Sequence, residues 1–295
     1  MSIRPHQWAP FESGLLPNRP VPDPPDSRRY HRGHGHPGAS GGIASTTAGA
    51  GPPAPGPQAD DDARPHHTTE VQVYQHLLAA NDRHAAGIRS LLCEHGVFAV
   101  NLMSSPGAGK TALIEATLAR LGTGIRVAVI EGDIETTADA DRIAPFGIPV
   151  IQINTGPFGG DCHLAAPLVA AAIEQLDLHG LDLLIVENVG NLVCPAEFDI
   201  GEHRKIVLLS VTEGEDKPLK YPLMFLEASL AVVTKIDLLP HLEIDLDVIR
   251  ANMRAVNPAL EVLTLSARTG EGIDSWLDWL RRGVAGVIAQ TASPG

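Results

Sequence analysis

Apolar residues follow two different periods from residue 97 onward, and the alternation of these periods predicts the fold. Short runs such as Leu183-Leu184-Ile185-Val186 show no polar alternation, which is typical of strands buried on both faces of a sheet. Segments with apolar residues at helical spacing separate these runs. The predicted strands are 97–103, 126–131, 149–154, 182–187, 205–211, 230–234 and 261–265, and the predicted helices are about 109–121, 137–145, 163–177, 217–227, 244–256 and 272–289. We therefore predict an α/β fold with a doubly wound, mostly parallel sheet, in which ligands bind beyond the carboxyl ends of the strands.

The first 68 residues lack this periodicity and differ in composition from the rest of the chain. They hold 13 of the 24 prolines and 9 of the 29 glycines. Such a segment buries too little apolar surface to offset the entropy of ordering it. We predict a disordered tail over 1–68 and one folded domain over 69–295. The domain is expected to begin with a helix from about residue 68 to Cys93, with a possible break at Asn81-Asp82. We expect the Cys93 side chain to be a small buried apolar group.

The tail also holds six of the thirteen histidines, several of them spaced by glycine. Neutral imidazole is a good ligand for Ni²⁺ and Zn²⁺, so weak metal binding by the tail is one interpretation. An incidental polar tail is the other, and the residues leave both open.

The net charge and the cysteine content indicate which partners and which cellular compartment to expect. The tail carries six basic and six acidic side chains, so the net charge of −13 belongs to the folded domain. An acidic domain argues against nucleic acid as the main partner. The three cysteines show no disulfide-like spacing, which predicts reduced thiols. No apolar run reaches about 18 residues and no leader-like segment is present, so we expect a cytoplasmic protein without membrane contact.

Residues 104–111 follow the first predicted strand, open the next helix and carry the pattern of a phosphate-binding P-loop. Backbone N–H groups of such a turn, together with the helix N-terminus, carry partial positive charge and attract phosphates. Lys110 would add a full charge at the β- and γ-phosphates, and Thr111 would offer its hydroxyl to Mg²⁺. The usual first glycine is Ser104. The predicted nucleotide-binding residues here are Ser105, Gly107, Ala108, Gly109, Lys110, Thr111 and Ala112.

Two acidic residues stand at the ends of two predicted strands. Asp133 follows the second strand and is a candidate Mg²⁺ partner beside the phosphates. Glu187 ends the fourth strand three residues before Gly190, a spacing typical of the loop that senses the γ-phosphate. We therefore predict that Lys110, Thr111, Asp133 and Glu187 carry the phosphate and magnesium chemistry.

A second motif predicts which base the nucleotide carries. The strand over 230–234 leads into Asp237, whose carboxylate can accept hydrogen bonds from guanine N1–H and the exocyclic amine, a donor pair that adenine lacks. Lys235 would pack its stem over the base, and Thr234 stands where an asparagine is usual. Backbone after the last strand commonly reads guanine O6. The predicted base-binding residues are Thr234, Lys235, Asp237, Ser266, Ala267 and Arg268, and the predicted nucleotides are GTP and GDP.

Cys162 and His163 stand side by side at the start of a predicted helix, where a thiol is readily ionised and can bind metal. Two adjacent ligands do not fill a four-coordinate site. A second chain could supply the same pair, or Cys194, four residues after Gly190, could join them. A buried thiol, a helix-capping histidine and an unrelated cysteine explain the same spacing equally well.

The chain resembles the HypB family of hydrogenase nickel-incorporation GTPases. The resemblance rests on the motifs at 101–111, 131–133, 160–164, 187–195, 213–222 and 234–237, and it covers about 70–290. It implies a P-loop GTPase of the SIMIBI class that dimerises with GTP. No glutamine or arginine stands out in the sequence as a water-positioning residue or arginine finger, so we expect slow turnover. It also implies delivery of Ni²⁺ to the large subunit of [NiFe] hydrogenase, with a HypA-type zinc protein as partner. In that family Cys162, His163 and Cys194 would form a nickel or zinc site at the dimer interface.

One departure limits the resemblance. Some family members carry a Cys-x-x-Cys-Gly-Cys nickel site near the N-terminus, whereas this chain has no cysteine before Cys93. Three other functions also fit parts of the sequence. A urease-type nickel GTPase is disfavoured because it places Cys-Pro-His at the Cys162-His163 position. A passive nickel store would bind through the tail, and a chaperone for a cobalamin enzyme would need no Cys-His pair.

Overall fold

A computed structural model describes residues 67–133, 138–156 and 163–291, with side chains from residue 76 onward. Within these residues the chain forms a seven-stranded sheet in which every pairing is parallel, in the order β3-β2-β4-β1-β5-β6-β7. The strands are β1 (Phe98–Ser104), β2 (Val127–Asp133), β3 (Val150–Asn154), β4 (Leu183–Glu187), β5 (Arg204–Ser210), β6 (Leu230–Thr234) and β7 (Glu261–Thr264). All seven predicted strands are present, so the predicted doubly wound sheet is confirmed.

Helices flank the strands at most of the predicted positions. Their bounds are α1 (His67–Glu94), α2 (Lys110–Leu121), α3 (Ala138–Ile143), α4 (Ala166–Ile173), α5 (Cys194–Glu197), α6 (Lys217–Lys220), α7 (Pro222–Glu227), α8 (Leu246–Val256) and α9 (Ile273–Thr291). None of these helices combines the length and apolarity needed to span a bilayer.

Three helix predictions need correction. Helix α1 runs unbroken through Asn81 and Asp82, so the possible break there is wrong. The helix expected over 217–227 is two helices, because the ring of Pro222 cannot continue α6 but suits the first turn of α7. Helix α4 begins at Ala166 with Pro167 in its first turn and not at residue 163, so His163 lies in the preceding loop.

Alternate residues of β1 enter different parts of the core. Phe98, Val100 and Leu102 belong to an apolar cluster shared with α2 and α9. On the opposite face, Ala99 packs into the cluster of α1 and α4, whereas Met103 packs into the cluster of α7 and α8. Asn101, which is fully buried, lies between them on that face. A polar side chain therefore occupies the seam between two apolar clusters, directly below the loop that follows β1.

The carboxyl ends of the central strands bring the predicted motifs to one edge of the sheet. Strand β1 leads into the P-loop, and its neighbours β4 and β5 lie on opposite sides of it. The strand order reverses here, which is the position where open α/β sheets bind ligands. The tail predicted over residues 1–68 lies outside the described residues apart from its last two positions, so the predicted domain division stays a prediction.

Candidate functional site

The P-loop turn depends on two glycines in the left-handed region. Gly107 has φ 76° and Gly109, immediately before α2, has φ 100°. L-residues other than glycine rarely adopt such values. Lys110, the first residue of α2, directs its Nζ to Ser104 Oγ at 3.1 Å. The serine that replaces the usual first glycine therefore accepts a hydrogen bond from the lysine.

A cavity of ≈ 540 Å³ opens over this turn and matches the predicted phosphate site. Its lining comprises P-loop residues, the two predicted acidic residues with their neighbours, and two residues of α3. These are Pro106, Gly107, Gly109, Lys110, Thr111, Ala112, Gly132, Asp133, Asp139, Arg142, Glu187, Asn188, Val189 and Gly190. Gly190 is packed so closely on the P-loop that an added Cβ would lie 3.0–3.1 Å from Pro106 atoms. The structure thus brings the loop after β4 against the phosphate turn.

Oxygen atoms suited to magnesium converge at the floor of this cavity. Thr111 Oγ1 donates to Glu187 Oε1 at 3.1 Å, and Lys110 Nζ lies 3.9 Å from the same oxygen. The other oxygen, Glu187 Oε2, and Glu131 Oε1 are both buried and have no hydrogen-bond partner among the described residues unless one of the two carboxyl groups carries a proton. Asp133, the last residue of β2, lines the same cavity. Hydroxyl and carboxylate oxygens are the ligands that Mg²⁺ prefers, so these residues fit the ion.

Glu131 is a part of this site that the sequence reasoning did not single out. It pairs directly with Glu187 across β2 and β4, and both side chains are buried. Burial and the charge of Glu187 raise the pKa of Glu131 to about 10. Burial raises the pKa of Glu187 to about 6, against the opposing charge of Lys110. At neutral pH Glu131 therefore holds a proton that it can donate to the ionised Glu187.

A second, smaller cavity of ≈ 250 Å³ adjoins the first and matches the predicted base pocket. The two cavities share Gly109 and Ala112 in their linings, so they lie side by side at the start of α2. The small cavity is lined by Ala108, Gly109, Ala112, Thr234, Lys235, Asp237, Leu238, Leu265, Ser266, Ala267 and Arg268. Every predicted base-binding residue therefore lines it.

The strand-end motif of β6 is tied to the P-loop by two hydrogen bonds. Thr234 Oγ1 donates to the Ala108 carbonyl at 2.7 Å, and Lys235 Nζ donates to the Gly107 carbonyl at 2.6 Å. Lys235 has φ 59°, a left-handed conformation that is uncommon for residues other than glycine, and it lines the small cavity. The hydroxyl of Thr234 thus makes the connection to the P-loop at a position where asparagine is usual.

Asp237 is oriented by the loop that follows β7. Ser266 Oγ donates to Asp237 Oδ1 at 2.6 Å, and Arg268 Nε lies 3.3 Å from Oδ2. The Arg268 side chain is 81% exposed, so it can leave Asp237 at little cost when a base binds. The carboxylate is thus held in the pocket as an acceptor for paired donors, the pattern that guanine presents.

The structure describes two of the three predicted metal ligands, His163 and Cys194. The His163 ring stacks on Phe198 at a centroid distance of 3.8 Å, and Phe198 directly follows α5, which begins at Cys194. Asn191 Nδ2 lies 3.8 Å from Cys194 Sγ. Cys162 lies outside the described residues. Within the described part of the chain, no three or more histidine, cysteine or acidic side chains are grouped to hold a metal ion.

Glu213 is a further residue that sequence reasoning missed within the 213–222 motif. Its Oε1 accepts from the Ser210 backbone N–H at 3.0 Å, and its Oε2 accepts a short hydrogen bond from the Ser105 hydroxyl. Lys217 Nζ lies 3.9 Å from the same carboxylate. The P-loop is thereby joined to the segment that follows β5.

Comparison with known proteins gives consistent matches. A family model described as the CobW/HypB/UreG nucleotide-binding domain matches residues 98–264. The chain is 52% identical over 214 residues to the hydrogenase maturation factor HypB of Azotobacter chroococcum, covering 72% of this chain and 68% of that protein.

Two solved structures resemble the described fold. The crystal structure of HypB from Archaeoglobus fulgidus matches with a TM-score of 0.65 and 38% identity, over 70% of this chain and 100% of the other. The structure of Helicobacter pylori HypB in complex with nickel matches with a TM-score of 0.66 and 34% identity, over 70% and 96% of the two chains.

Proposed function

Because the chain belongs to the CobW/HypB/UreG family, and within it to the HypB hydrogenase maturation factors, we propose that it is a GTP-hydrolysing nickel chaperone. In this proposal it helps to insert Ni²⁺ into the large subunit of a [NiFe] hydrogenase. GTP binding closes a homodimer, and hydrolysis changes the affinity of a Cys/His metal site. Nickel is the ion that is delivered, and GTP binding and hydrolysis control when it is bound and released.

The observation that carries this proposal is the position of the metal-ligand candidates relative to the nucleotide loop. His163 stacks on the residue that follows α5, and Cys194 begins α5 only four residues after Gly190. Gly190 itself packs against Pro106 of the P-loop. A phosphate that draws this loop inward therefore acts on a segment whose other end holds a metal ligand.

Each predicted site residue has a defined task in the proposed hydrolysis. Lys110, whose Nζ donates to Ser104, would contact the phosphates, and Thr111, whose hydroxyl donates to Glu187, would be a Mg²⁺ ligand. Asp133 and Glu187 would hold the ion or its water molecules, and Glu131 would hold Glu187 in place through its proton. When bound, Mg²⁺ neutralises the charge that develops on the β- and γ-phosphates.

Slow turnover follows from the groups that line the phosphate cavity. Arg142 lines the cavity and could in principle stabilise the charge on the phosphates. However, its guanidinium forms ion pairs with Glu115 and Asp139. Among the described residues, none that lines the cavity is a glutamine that could position a water molecule. Unassisted GTPases of this kind turn over well below ~1 s⁻¹.

The remaining parts of the proposal follow the family. We expect a GTP-dependent homodimer, a HypA-type partner and the hydrogenase large-subunit precursor, in the cytoplasm and without nucleic acid or membrane. Cys162, His163 and Cys194 would bind Ni²⁺, or Zn²⁺ in its place, since thiolate and imidazole suit both ions. The tail over 1–68 would be disordered outside a GTPase domain over 69–295.

The test measures metal stoichiometry and oligomeric state of the full chain with GDP and with a non-hydrolysable GTP analogue. The wild type is compared with Cys162→Ala and with Cys93→Ala, a matched control whose thiol contacts His203 away from the site. We expect Cys162→Ala alone to lose the nucleotide-dependent Ni²⁺. An equal nickel content in all three proteins, unchanged by nucleotide, would refute the proposal.

Deleting residues 1–68 separates the chaperone from a passive store. A store would lose most of its nickel on this deletion, because its histidines lie in the tail. The chaperone would retain its GTP-linked site, since the predicted ligands lie beyond residue 160.

A further inference from the structure

Two buried asparagines from different elements hold the segment that carries His163. Leu164 donates its backbone N–H to Asn188 Oδ1 at 3.1 Å, and Ala166 donates its backbone N–H to Asn81 Oδ1 at 2.8 Å. Asn188 is 1% exposed and Asn81 is 5% exposed. A buried N–H group without an acceptor costs about 1–3 kcal/mol, so these two side chains determine the path of residues 163–166.

Only one of the two asparagines belongs to the nucleotide site. Asn188 directly follows Glu187, lines the phosphate cavity, and uses the same Oδ1 to accept the Val189 N–H at 3.0 Å. Asn81 instead belongs to α1, and its Nδ2 donates to the Asp199 carbonyl at 2.7 Å. One carboxamide oxygen therefore joins the nucleotide loop to the residue after His163.

The donor side of Asn188 fixes the orientation of this carboxamide. Its Nδ2 donates to Asn101 Oδ1 at 3.2 Å, and Asn101 Nδ2 donates to Glu202 Oε1 at 3.3 Å. Glu202 Oε2 accepts the Ile200 N–H at 2.8 Å, which completes a buried chain of hydrogen bonds. Rotating the Asn188 carboxamide would break bonds at both of its ends in a medium of low dielectric constant. The oxygen therefore points to Leu164 and moves only when its backbone moves.

Leu164 also touches the magnesium side of the site. An added Cβ on Gly132, between Glu131 and Asp133, would lie 2.8 Å from Leu164 side-chain atoms. The leucine side chain thus packs on the end of β2, while its N–H is held from the end of β4. A movement of the end of β2 or of β4 would therefore be passed to Leu164 by a direct contact.

We propose that Asn188 is the positioning residue that transmits the nucleotide state to the metal-binding segment. When the γ-phosphate draws in the loop at 187–190, the Asn188 carboxamide moves with it and carries the Leu164 N–H, which shifts His163. Asn81 holds the next turn of the chain to α1, so the segment pivots at Ala166. This inference rests on the proposed function and names the residue through which its coupling acts.

The test compares Asn188→Ala with the matched control Asn81→Ala, since each variant removes one acceptor from the same segment. Ni²⁺ affinity is measured on the full chain with GDP and with a GTP analogue. Coupling between sites typically changes affinity by about 5–150-fold, so we expect at least about a fivefold ratio in the wild type. In Asn188→Ala this ratio should fall to within about twofold of one, whereas Asn81→Ala should keep it even if both affinities drop. A wild-type ratio in Asn188→Ala, or an equal loss in both variants, overturns the inference.

Amide hydrogen exchange of the metal-free wild type gives a readout that needs no variant and no nickel. The Leu164 amide should change its exchange rate by at least about tenfold between GDP and the analogue, and the Ala166 amide by less than about twofold. This result supports the inference even if nickel does not bind and the proposed function fails. Equal behaviour of the two amides overturns the inference even if nickel binding responds to nucleotide.

Discussion

Replacing Glu131 with glutamine should stabilise the protein and reduce the pH dependence of its stability above neutrality. The folded state keeps Glu131 protonated, because burial and Glu187 raise its pKa to about 10 from 4.5. The unfolded chain releases this proton above pH 4.5. Folding above that pH therefore requires proton uptake, and the free energy of unfolding falls as pH rises. Glutamine keeps a donor for Glu187 without a proton to take up.

The size of the effect follows from the difference between the two pKa values. One pKa unit corresponds to about 1.4 kcal/mol, so at pH 7.5, three units above the unfolded value, the Glu131 term costs about 4 kcal/mol. Glu187, with a pKa of about 6, acts in the same direction but only between about pH 4.5 and 6. His203, whose pKa burial lowers, acts below its ordinary 6.5 and in the opposite direction. Burial also raises the pKa of Glu202, which lowers stability with rising pH in the same direction in both proteins. The difference between the wild type and Glu131→Gln therefore isolates Glu131, and between pH 6.5 and 8.0 the wild type should lose about 2 kcal/mol more than the variant.

Urea unfolding at several pH values, without nucleotide and with a chelator present, measures this loss. Glu94→Gln, which changes an exposed glutamate at the end of α1, is the control and should leave the slope unchanged. We expect Glu131→Gln to raise the free energy of unfolding at pH 7.5 and to flatten its decrease toward pH 8.0. Equal slopes in Glu131→Gln and the wild type would show that Glu131 is ionised in the folded state and would refute the reasoning.

Three further changes test other parts of the structure. Asp237→Asn should lower GTP affinity by about 10²-fold or more and allow xanthosine triphosphate to bind, because an amide accepts one donor and supplies another; unchanged GTP binding would exclude Asp237 from base recognition. Gly190→Ala should weaken a GTP analogue more than GDP in calorimetric titrations, since its Cβ would lie 3.0–3.1 Å from Pro106, and equal losses would contradict this. Trp276→Phe removes the buried 2.8 Å bond from Nε1 to Thr117 Oγ1 and should cost about 2–4 kcal/mol of stability by urea unfolding; a loss below about 1 kcal/mol would refute it.

The sheet and the phosphate turn could be predicted because their signals are local. The apolar runs identify strands buried on both faces, and the predicted strand ends agree with the observed ones within two residues. The turn glycines and Lys110 stand next to each other in the sequence, so the order of the strands was not needed to find them. The roles of the individual site residues, and of Cys162 above all, stay predictions.

The connections within the site could not be predicted, because they depend on which strands are neighbours. Glu131 and Glu187 are 56 positions apart and meet only because β2 lies beside β4. The bond between Asn188 and Asn101 likewise requires β4 to lie beside β1. In the sequence each of these residues is a single polar side chain at or near a buried strand, with no local pattern that marks it. The start of α5 at Cys194 was also missed, since a helix of four residues carries little periodicity.

The buried polar chain between Asn101, Asn188 and Glu202 explains why this seam is not filled with apolar side chains. Ala99 and Met103 flank Asn101 on the same face of β1 and pack into separate apolar clusters, so an aliphatic residue at 101 would suit the core. Burying polar groups without a complete set of partners costs free energy, and here each carboxamide has both donor and acceptor partners. Apolar contacts would tolerate several orientations of residue 188, whereas directional hydrogen bonds allow one. A single orientation is what a side chain needs in order to pass a small movement of the nucleotide loop to the Leu164 N–H.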